Sequence, residues 1–147
     1  ALDSEALTLD ALRECPPFLF KPNIHELAQL TGAAADTWDK LLDALRQGKA
    51  CGVQNLLVSM GSDGMAALCG DTLYRVRVPK IELKSTVGAG DSTVGGFLAA
   101  LALEKSIPEA LRWANACGCA AAGREGTGLG DADAAQRLLP EVTVEQL

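Results

Sequence analysis

Residues 84–103 read KSTVGAGDSTVGGFLAALAL, and this stretch decides the fold. The β-branched residues Thr86 and Val87 predict the end of a strand, and the glycines at 88 and 90 permit a tight turn. Asp91 and the Ser-Thr pair after it are typical N-capping residues ahead of a long apolar run. The stretch therefore predicts a glycine-rich loop that opens a helix from about Asp91 to Glu104.

A loop of this kind can bind an anion, because the first turn of a helix has unpaired N–H groups and carries the positive end of the helix dipole. Gly88 and Gly90 let a substrate approach the backbone closely. Asp91 is unexpected there, since a carboxylate repels a phosphate unless it takes up a proton. It is either a catalytic group or a helix N-cap, and the paired glycines favour catalysis.

Composition predicts one globular unit, or part of one. The chain has 147 residues, of which 48% are hydrophobic and 22% are charged. Its net charge of −6 argues against nucleic acid and anionic membranes as partners. Five scattered cysteines in apolar surroundings favour reduced thiols over a disulfide framework. Because the chain shows no basic leader and no apolar run of about 20 residues, we expect a cytoplasmic protein.

Strand and helix patterns alternate along the chain. They predict an α/β fold, a layered and mainly parallel sheet flanked by helices, with one inserted β-hairpin. The predicted helices cover residues 5–15, 24–30, 36–47, 91–104, 109–123 and 132–139, and the predicted strands cover 18–20, 53–59, 65–69 and 72–78. Ligands of such sheets bind beyond the carboxyl ends of the strands. Polar loops at 21–26, 59–64 and 86–92 are expected there.

Two common nucleotide motifs do not fit the central loop. A dinucleotide-binding G-x-G-x-x-G has its third glycine replaced by Thr93, and Asp91 would face the pyrophosphate. The G-K-[ST] of a Walker A loop is absent from the sequence. Phosphoryl transfer to a hydroxyl remains, with Asp91 as the base and the amides of Gly88, Ala89 and Gly90 stabilising developing charge.

Three motifs carry a family resemblance. The stretch from Ser85 to Leu98 resembles the second signature of the PfkB-type (ribokinase-like) carbohydrate kinases at every constrained position. KPNIHEL at 21–27 is similar to a segment of the branch that contains 1-phosphofructokinase and tagatose-6-phosphate kinase, and VSMGSDG at 58–64 resembles its nucleotide loop. All three belong to the carboxyl-terminal half of that family. The resemblance therefore implies a ribokinase-like fold without the lid and the amino-terminal half.

The resemblance also implies roles for individual residues. Asp91 would be the catalytic base, and Gly88, Ala89 and Gly90 would form the anion hole. Asn23 and Glu26 match an N-x-x-E motif that places Mg²⁺ around the phosphates, with Glu26 as the metal-associated carboxylate. Further nucleotide-contacting positions would be Lys21, Ser59, Gly61 and Gly64, with Asn115 near the adenine pocket. The similarity extends to the glycine-rich loop at residues 126–128.

The function implied is an ATP- and Mg²⁺-dependent sugar-phosphate kinase that converts fructose 1-phosphate to fructose 1,6-bisphosphate. Tagatose 6-phosphate is the alternative acceptor. Residues 1–147 would be the nucleotide-binding and catalytic part, partnered by the amino-terminal half and, in the full protein, by a second copy. The fragment could instead bind a nucleotide or a partner without activity of its own.

Some residues have ordinary structural interpretations. Glu26 could be a solvated helix residue. His25, the single histidine, is expected at the surface or in a subunit contact, and Trp38 and Trp113 are expected to pack in the core. Lys84 could be a surface lysine or a phosphate contact, and the sequence does not separate the two.

Overall fold

The computed structural model describes residues 7–126 and 131–147. Its α-helices are α1 (Leu9–Glu14), α2 (Ile24–Thr31), α3 (Trp38–Ala50), α4 (Ala89–Ala102), α5 (Ile107–Ala122) and α6 (Ala132–Leu138). Its strands are β1 (Leu19–Phe20), β2 (Asn55–Ser59), β3 (Met65–Cys69), β4 (Thr72–Arg77) and β5 (Thr143–Gln146). Short 3₁₀ turns occupy Gly61–Asp63 and Leu139–Glu141. The strands form a sheet in the order β1-β2-β3-β4-β5.

The chain divides into two compact units. The first contains the described residues up to Gly61, Met65–Tyr74 and the last two residues. The second contains Ser62–Gly64 and Arg75–Glu145. The predicted nucleotide-loop segments are mainly in the first unit, and the central glycine loop is in the second.

The first unit is built on strands buried against helices. Strand β1 pairs with β2 in parallel, with Leu19 opposite Asn55, and β2 pairs with β3 in the antiparallel sense, with Leu57 opposite Ala67. Side chains from α2, α3 and these strands share a core, which includes Leu27, Leu41, Leu45, Phe20, Leu56, Val58 and Leu68. The continuous burial of β2 agrees with a strand that is covered on both faces.

The predicted hairpin is present. Strands β3 and β4 are joined by Gly70 and Asp71, and Gly70 adopts a positive φ of 57°. The α/β class with helices around a sheet is confirmed, and the sheet in this chain is mixed, with one parallel and one antiparallel pairing around β2.

The second unit contains two helices that pack closely, α4 and α5. The contact is close because glycines face the neighbouring helix on both sides. A Cβ on Gly96 would lie 2.8 Å from Trp113 O and 2.9 Å from Cys117 Sγ, and a Cβ on Gly118 would overlap the side chain of Thr93. Any larger residue at either glycine would push the helices apart.

The predicted strand end at Thr86 and Val87 is wrong, because the chain from residue 78 to residue 86 forms no strand. The backbone N–H groups of Lys84 and Ser85 both donate to Ala122 O, at 2.9 Å and 3.2 Å. This segment is thus attached to the end of α5 instead of a neighbouring strand. Local β propensity was overridden by a tertiary hydrogen-bond acceptor.

Candidate active site

The turn into α2 carries two of the predicted site residues. Asn23 is the N-cap, and its Oδ1 accepts hydrogen bonds from the N–H groups of His25 and Glu26, both at 2.9 Å. Glu26 Oε2 accepts from the N–H of Asn23 at 2.7 Å. Together these bonds form a capping box, so the N-x-x-E spacing caps α2 independently of any role in binding. His25 is exposed, as expected.

The structure brings the predicted residue Ser59 beside this turn. The N–H of Ser59 donates to Pro22 O at 3.1 Å, and Asn23 forms an isolated parallel bridge with Ser59. The two polar loops therefore meet where β1 and β2 end, as the parallel arrangement predicts. Lys21, one residue before this contact, is buried, with 5% of its surface exposed.

The residues around Asn23 fit a magnesium ion held partly through water. Glu26 is half-buried, and its capping bond uses Oε2, which leaves the carboxylate a second oxygen to offer a ligand. Mg²⁺ is commonly held by one or two carboxylates together with waters and substrate phosphates. Among residues 7–126 and 131–147 no three His, Cys, Asp or Glu side chains cluster as a complete metal site. Water and phosphate oxygens would have to complete the coordination here.

Gly61 and Gly64 occupy different environments. Gly61 starts the 3₁₀ turn with φ 59°, is exposed, and has open space where a Cβ would point. Gly64 is buried with φ 90°, and a Cβ there would overlap Val76 O. The fold itself requires glycine at 64, whereas at 61 only the backbone conformation favours it.

Helix α4 begins two residues earlier than predicted, at Ala89. Its N-cap is Gly88, with φ 78° and ψ −8°, and no side chain caps the helix. Asp91 is therefore an exposed residue of the first turn and makes no cap hydrogen bond. Of the two interpretations of Asp91, the N-cap does not match the structure. The carboxylate and the first-turn N–H groups share one helix end.

The predicted anion-hole residues lie together at this end. Gly88, Ala89 and Gly90 are each partly exposed, and the N–H of Ala89 donates to Thr86 O over a long 3.4 Å. A glycine cap leaves the first turn open to an external acceptor, because no side-chain oxygen occupies it.

Positioning contacts that the sequence did not reveal hold this helix start in place. Thr93 Oγ1 donates to Ala89 O at 2.8 Å, and Ser85 Oγ accepts from the N–H of Val87 at 3.2 Å. Ala122 O holds the preceding segment from α5. A threonine four residues after Ala89 signals such a bond only weakly, because Ser and Thr hydroxyls often bond to nearby backbone in helices.

Asn115 is buried within α5, and its Nδ2 donates to Leu111 O at 2.9 Å. This bond satisfies a donor inside the same helix, so the structure gives Asn115 a local role beside the predicted one. Lys84 forms an ion pair with Glu125, 3.8 Å between Nζ and Oε1, at the surface. The predicted glycine loop at 126–128 lies largely outside the described residues.

Cys117 and Cys119 of α5 are half-buried thiols. Burial raises the pKa of Cys119 to about 11 and also raises that of Cys117. In the first unit, burial raises the pKa of Cys69 to about 12. These thiols stay protonated at neutral pH and behave as small apolar side chains.

Comparison with known proteins supports a carbohydrate-kinase relationship. Residues 2–134 match the profile of the pfkB family carbohydrate kinases. The chain is 37% identical over 146 residues to a protein of Bacillus subtilis (strain 168) named 1-phosphofructokinase, a match that covers 99% of this chain and 48% of that protein. The chain spans about half the length of the curated relatives it matches.

Solved structures show the same fold. Phosphofructokinase-2 from Escherichia coli, solved in complex with substrates and products, matches with a TM-score of 0.80 and 30% identity, over 90% of this chain and 45% of that one. Ribokinase from Arabidopsis thaliana, solved with ribose and ATP, matches with a TM-score of 0.78 and 28% identity, over 89% of this chain and 43% of that one. Among the described residues, no helix combines the length and the apolar character that crossing a membrane requires.

Proposed function

The chain belongs to the pfkB family of carbohydrate kinases, and on that premise we propose that it is the nucleotide-binding and catalytic part of an ATP-dependent sugar-phosphate kinase. The observation that carries the proposal is the start of α4, where the exposed Asp91 carboxylate stands beside first-turn amides that no side chain caps. A base and an anion site at one helix end are what phosphoryl transfer to a hydroxyl requires.

Asp91 acts as the general base in this proposal. Its carboxylate takes the proton of the acceptor hydroxyl as the hydroxyl oxygen forms a bond to the γ-phosphorus of ATP. The bond from that phosphorus to the β–γ bridging oxygen breaks, and ADP leaves. The amides of Gly88, Ala89 and Gly90 donate to the oxygens on which negative charge grows, an effect worth on the order of 10²-fold to 10³-fold per donor in comparable sites.

The proposed nucleotide and metal contacts come from residues outside α4. Glu26 would hold Mg²⁺ through its carboxylate and ordered water, and Asn23 positions Glu26 through the capping box. Magnesium, when bound, neutralises the charge of the phosphates. Lys21, Ser59, Gly61, Gly64 and Asn115 contact the nucleotide. Use of ATP is supported by the ribokinase relative solved with ribose and ATP.

The acceptor is a ketohexose monophosphate, with fructose 1-phosphate as the proposed substrate. The name of the Bacillus relative, 1-phosphofructokinase, supports this class. The rest of the sugar site, and the contact between two copies, belong to the half of the family fold that this chain does not span. The five cysteines form no disulfide among the described residues, which suits a reducing compartment and supports the proposed cytoplasmic location.

Assay of phosphate transfer tests the proposal. The 147-residue chain is incubated with MgATP and fructose 1-phosphate, alone and together with the part of the Bacillus 1-phosphofructokinase that it does not match. Tagatose 6-phosphate and fructose 6-phosphate are the comparison acceptors. We expect transfer to fructose 1-phosphate in the mixture. Transfer to none of the three in either preparation would overturn the proposed function.

A further inference from the structure

The hydroxyl of Thr93 is bonded inside the first turn of α4. Thr93 is buried, with 8% of its surface exposed, and its Oγ1 donates to Ala89 O at 2.8 Å. In an α-helix the carbonyl of residue 89 is also the acceptor for the N–H of residue 93. Ala89 O is therefore shared by two donors, one from the backbone and one from a buried side chain.

Gly118 of α5 leaves the space that the Thr93 side chain fills. A Cβ on Gly118 would overlap Thr93 Oγ1 and would lie 3.4 Å from Ala89 O. Gly118 is buried inside α5, and its φ is not positive, so the backbone conformation does not require glycine. Glycine inside a helix is less stable than alanine. The reason for glycine at this position is therefore the room that the hydroxyl and the carbonyl need.

The shared carbonyl belongs to the peptide unit that carries the N–H of Gly90. This N–H lies in the first turn of α4, where helix geometry provides no acceptor within the helix. A carbonyl that accepts hydrogen bonds polarises its own peptide unit, and the N–H of that unit becomes a stronger donor. The bond from Thr93 to Ala89 O therefore orients and strengthens the Gly90 N–H.

A second threonine of the chain makes the same kind of bond in an ordinary setting. Thr31 Oγ1 donates to Leu27 O at 2.9 Å near the end of α2. Hydroxyl bonds to the carbonyl four residues earlier are common in helices and usually have only a local effect. The peptide unit of Leu27 has no part in the proposed site, whereas the peptide unit of Ala89 and Gly90 does. Thr31 is therefore a matched control for Thr93.

We propose that Thr93 is a positioning residue for phosphoryl transfer, which acts through the Ala89 carbonyl to strengthen the Gly90 N–H of the anion hole. Gly118 of α5 holds the threonine in place by leaving room for its hydroxyl. The inference rests on the proposed function, in which Gly90 donates to oxygens on which negative charge grows. Because that charge is largest in the transition state, the bond from Thr93 raises kcat and leaves substrate binding nearly unchanged.

Steady-state kinetics test this role, using the chain mixed with the part of the Bacillus 1-phosphofructokinase that it does not match. Thr93→Val keeps the shape of the side chain and removes the hydroxyl. We expect kcat to fall about tenfold, less than the roughly 10²-fold to 10³-fold that loss of a whole donor costs. The KM values for ATP and for the sugar phosphate should stay within about twofold. Thr93→Ser should restore kcat, and Thr31→Val should leave it unaltered.

Substitution of Gly118 tests the same contact from α5. The Cβ added by Gly118→Ala would displace the Thr93 hydroxyl, so kcat should fall by a similar factor. In a Thr93→Ala background that hydroxyl is absent, and Gly118→Ala should then lower kcat by less than about twofold. Equal losses from Gly118→Ala in the two backgrounds would contradict the proposed contact.

The amide of Gly90 gives a measurement that does not depend on activity. In heteronuclear NMR spectra of the isolated chain, weaker polarisation moves the N–H resonance of Gly90 upfield. We expect this shift in Thr93→Val, a position close to wild type in Thr93→Ser, and no change in Thr31→Val. A Gly90 resonance that stays in place in Thr93→Val overturns the proposal. So does a fall in kcat that is equally large in Thr31→Val.

Failure of the positioning role and failure of the proposed function give different results. If the wild-type mixture transfers no phosphate while the Gly90 resonance responds to Thr93→Val, only the proposed kinase activity is contradicted. If phosphate is transferred with a kcat that Thr93→Val does not change, only the positioning role is contradicted.

Discussion

Asn23 and Glu26 exchange hydrogen bonds at the start of α2. The N–H of Asn23 donates to Glu26 Oε2 at 2.7 Å, and the N–H of Glu26 donates to Asn23 Oδ1 at 2.9 Å. The pair is therefore a structural cap and, in the proposed function, also the magnesium site. Substitutions that keep or remove the cap can separate these two roles.

Glu26→Gln keeps an oxygen that can accept from Asn23 and removes the negative charge. We expect the free energy of unfolding to change by less than about 0.5 kcal/mol, while the Mg²⁺ concentration for half-maximal transfer rises. Glu26→Ala removes the cap as well and should cost a further ~1 kcal/mol. Urea unfolding of the chain measures the first effect. A Mg²⁺ titration measures the second, using the complemented enzyme, which is the chain mixed with the part of the Bacillus 1-phosphofructokinase that it does not match. An unchanged Mg²⁺ titration in Glu26→Gln would leave only the capping role.

Asp91→Asn should reduce kcat of the complemented enzyme by at least about 10²-fold, as expected for loss of a positioned general base, and leave the affinity for ATP within a few-fold. Because Asp91 forms no cap hydrogen bond, the unfolding free energy should hardly change. Asp133→Asn, in the first turn of α6, is the matched control and should leave kcat unaltered. Steady-state kinetics with a near-normal kcat for Asp91→Asn would exclude the base.

Substitution of Gly64 or Gly61 by alanine should lower the free energy of unfolding by unequal amounts. Both have positive φ, and a left-handed conformation costs a non-glycine residue roughly 1–2 kcal/mol. Gly61→Ala should cost only that amount, because its side chain enters open space. Gly64→Ala should cost more, since its Cβ would overlap Val76 O. Equal unfolding midpoints in urea for the two variants would refute this difference.

Substitution of two adjacent glycines of α4 by alanine should change the stability of the chain in opposite directions. Gly95→Ala should stabilise the isolated chain by about 0.5–1 kcal/mol through helix propensity. Gly96→Ala should destabilise it by about 1–3 kcal/mol, because the added Cβ meets Trp113 O and Cys117 Sγ. Thermal unfolding of the two variants decides the matter, and a shift of the same sign in both would contradict the packing described.

The capping box of α5 predicts a pH effect. Hydrogen bonds from the side chain and then the backbone of Ser106 lower the pKa of Glu109 below its ordinary 4.5. A lowered folded pKa means that the stabilisation is present above pH 4.5 and is lost as the pH falls through the folded value. Ser106→Ala should therefore show a smaller fall in melting temperature from pH 6 to pH 3 than the wild-type chain. The control is Thr37→Ala, which removes the N-cap of α3. The third residue after that cap is Lys40 instead of a glutamate, so the fall in melting temperature from pH 6 to pH 3 should be unchanged.

Motifs with a local physical basis were predictable from the sequence. The hairpin followed from the Gly70-Asp71 turn between two β-rich runs, and the meeting of the loops at Asn23 and Ser59 followed from parallel strands. The start of α4 lies two residues before the position that the sequence predicts, because the Asp-Ser-Thr run suggests an N-cap more strongly than a glycine does.

The sequence by itself determined the family, the α/β class and the candidate site residues, because glycines, caps and apolar periods act through neighbours along the chain. Only the tertiary structure decided that the segment before the loop is hydrogen-bonded to Ala122 O. It also decided that close packing requires glycine at residues 64 and 96, whereas Gly95 faces open space. Each of these depends on atoms distant in sequence, or on their absence among the described residues, and no local pattern encodes such distances.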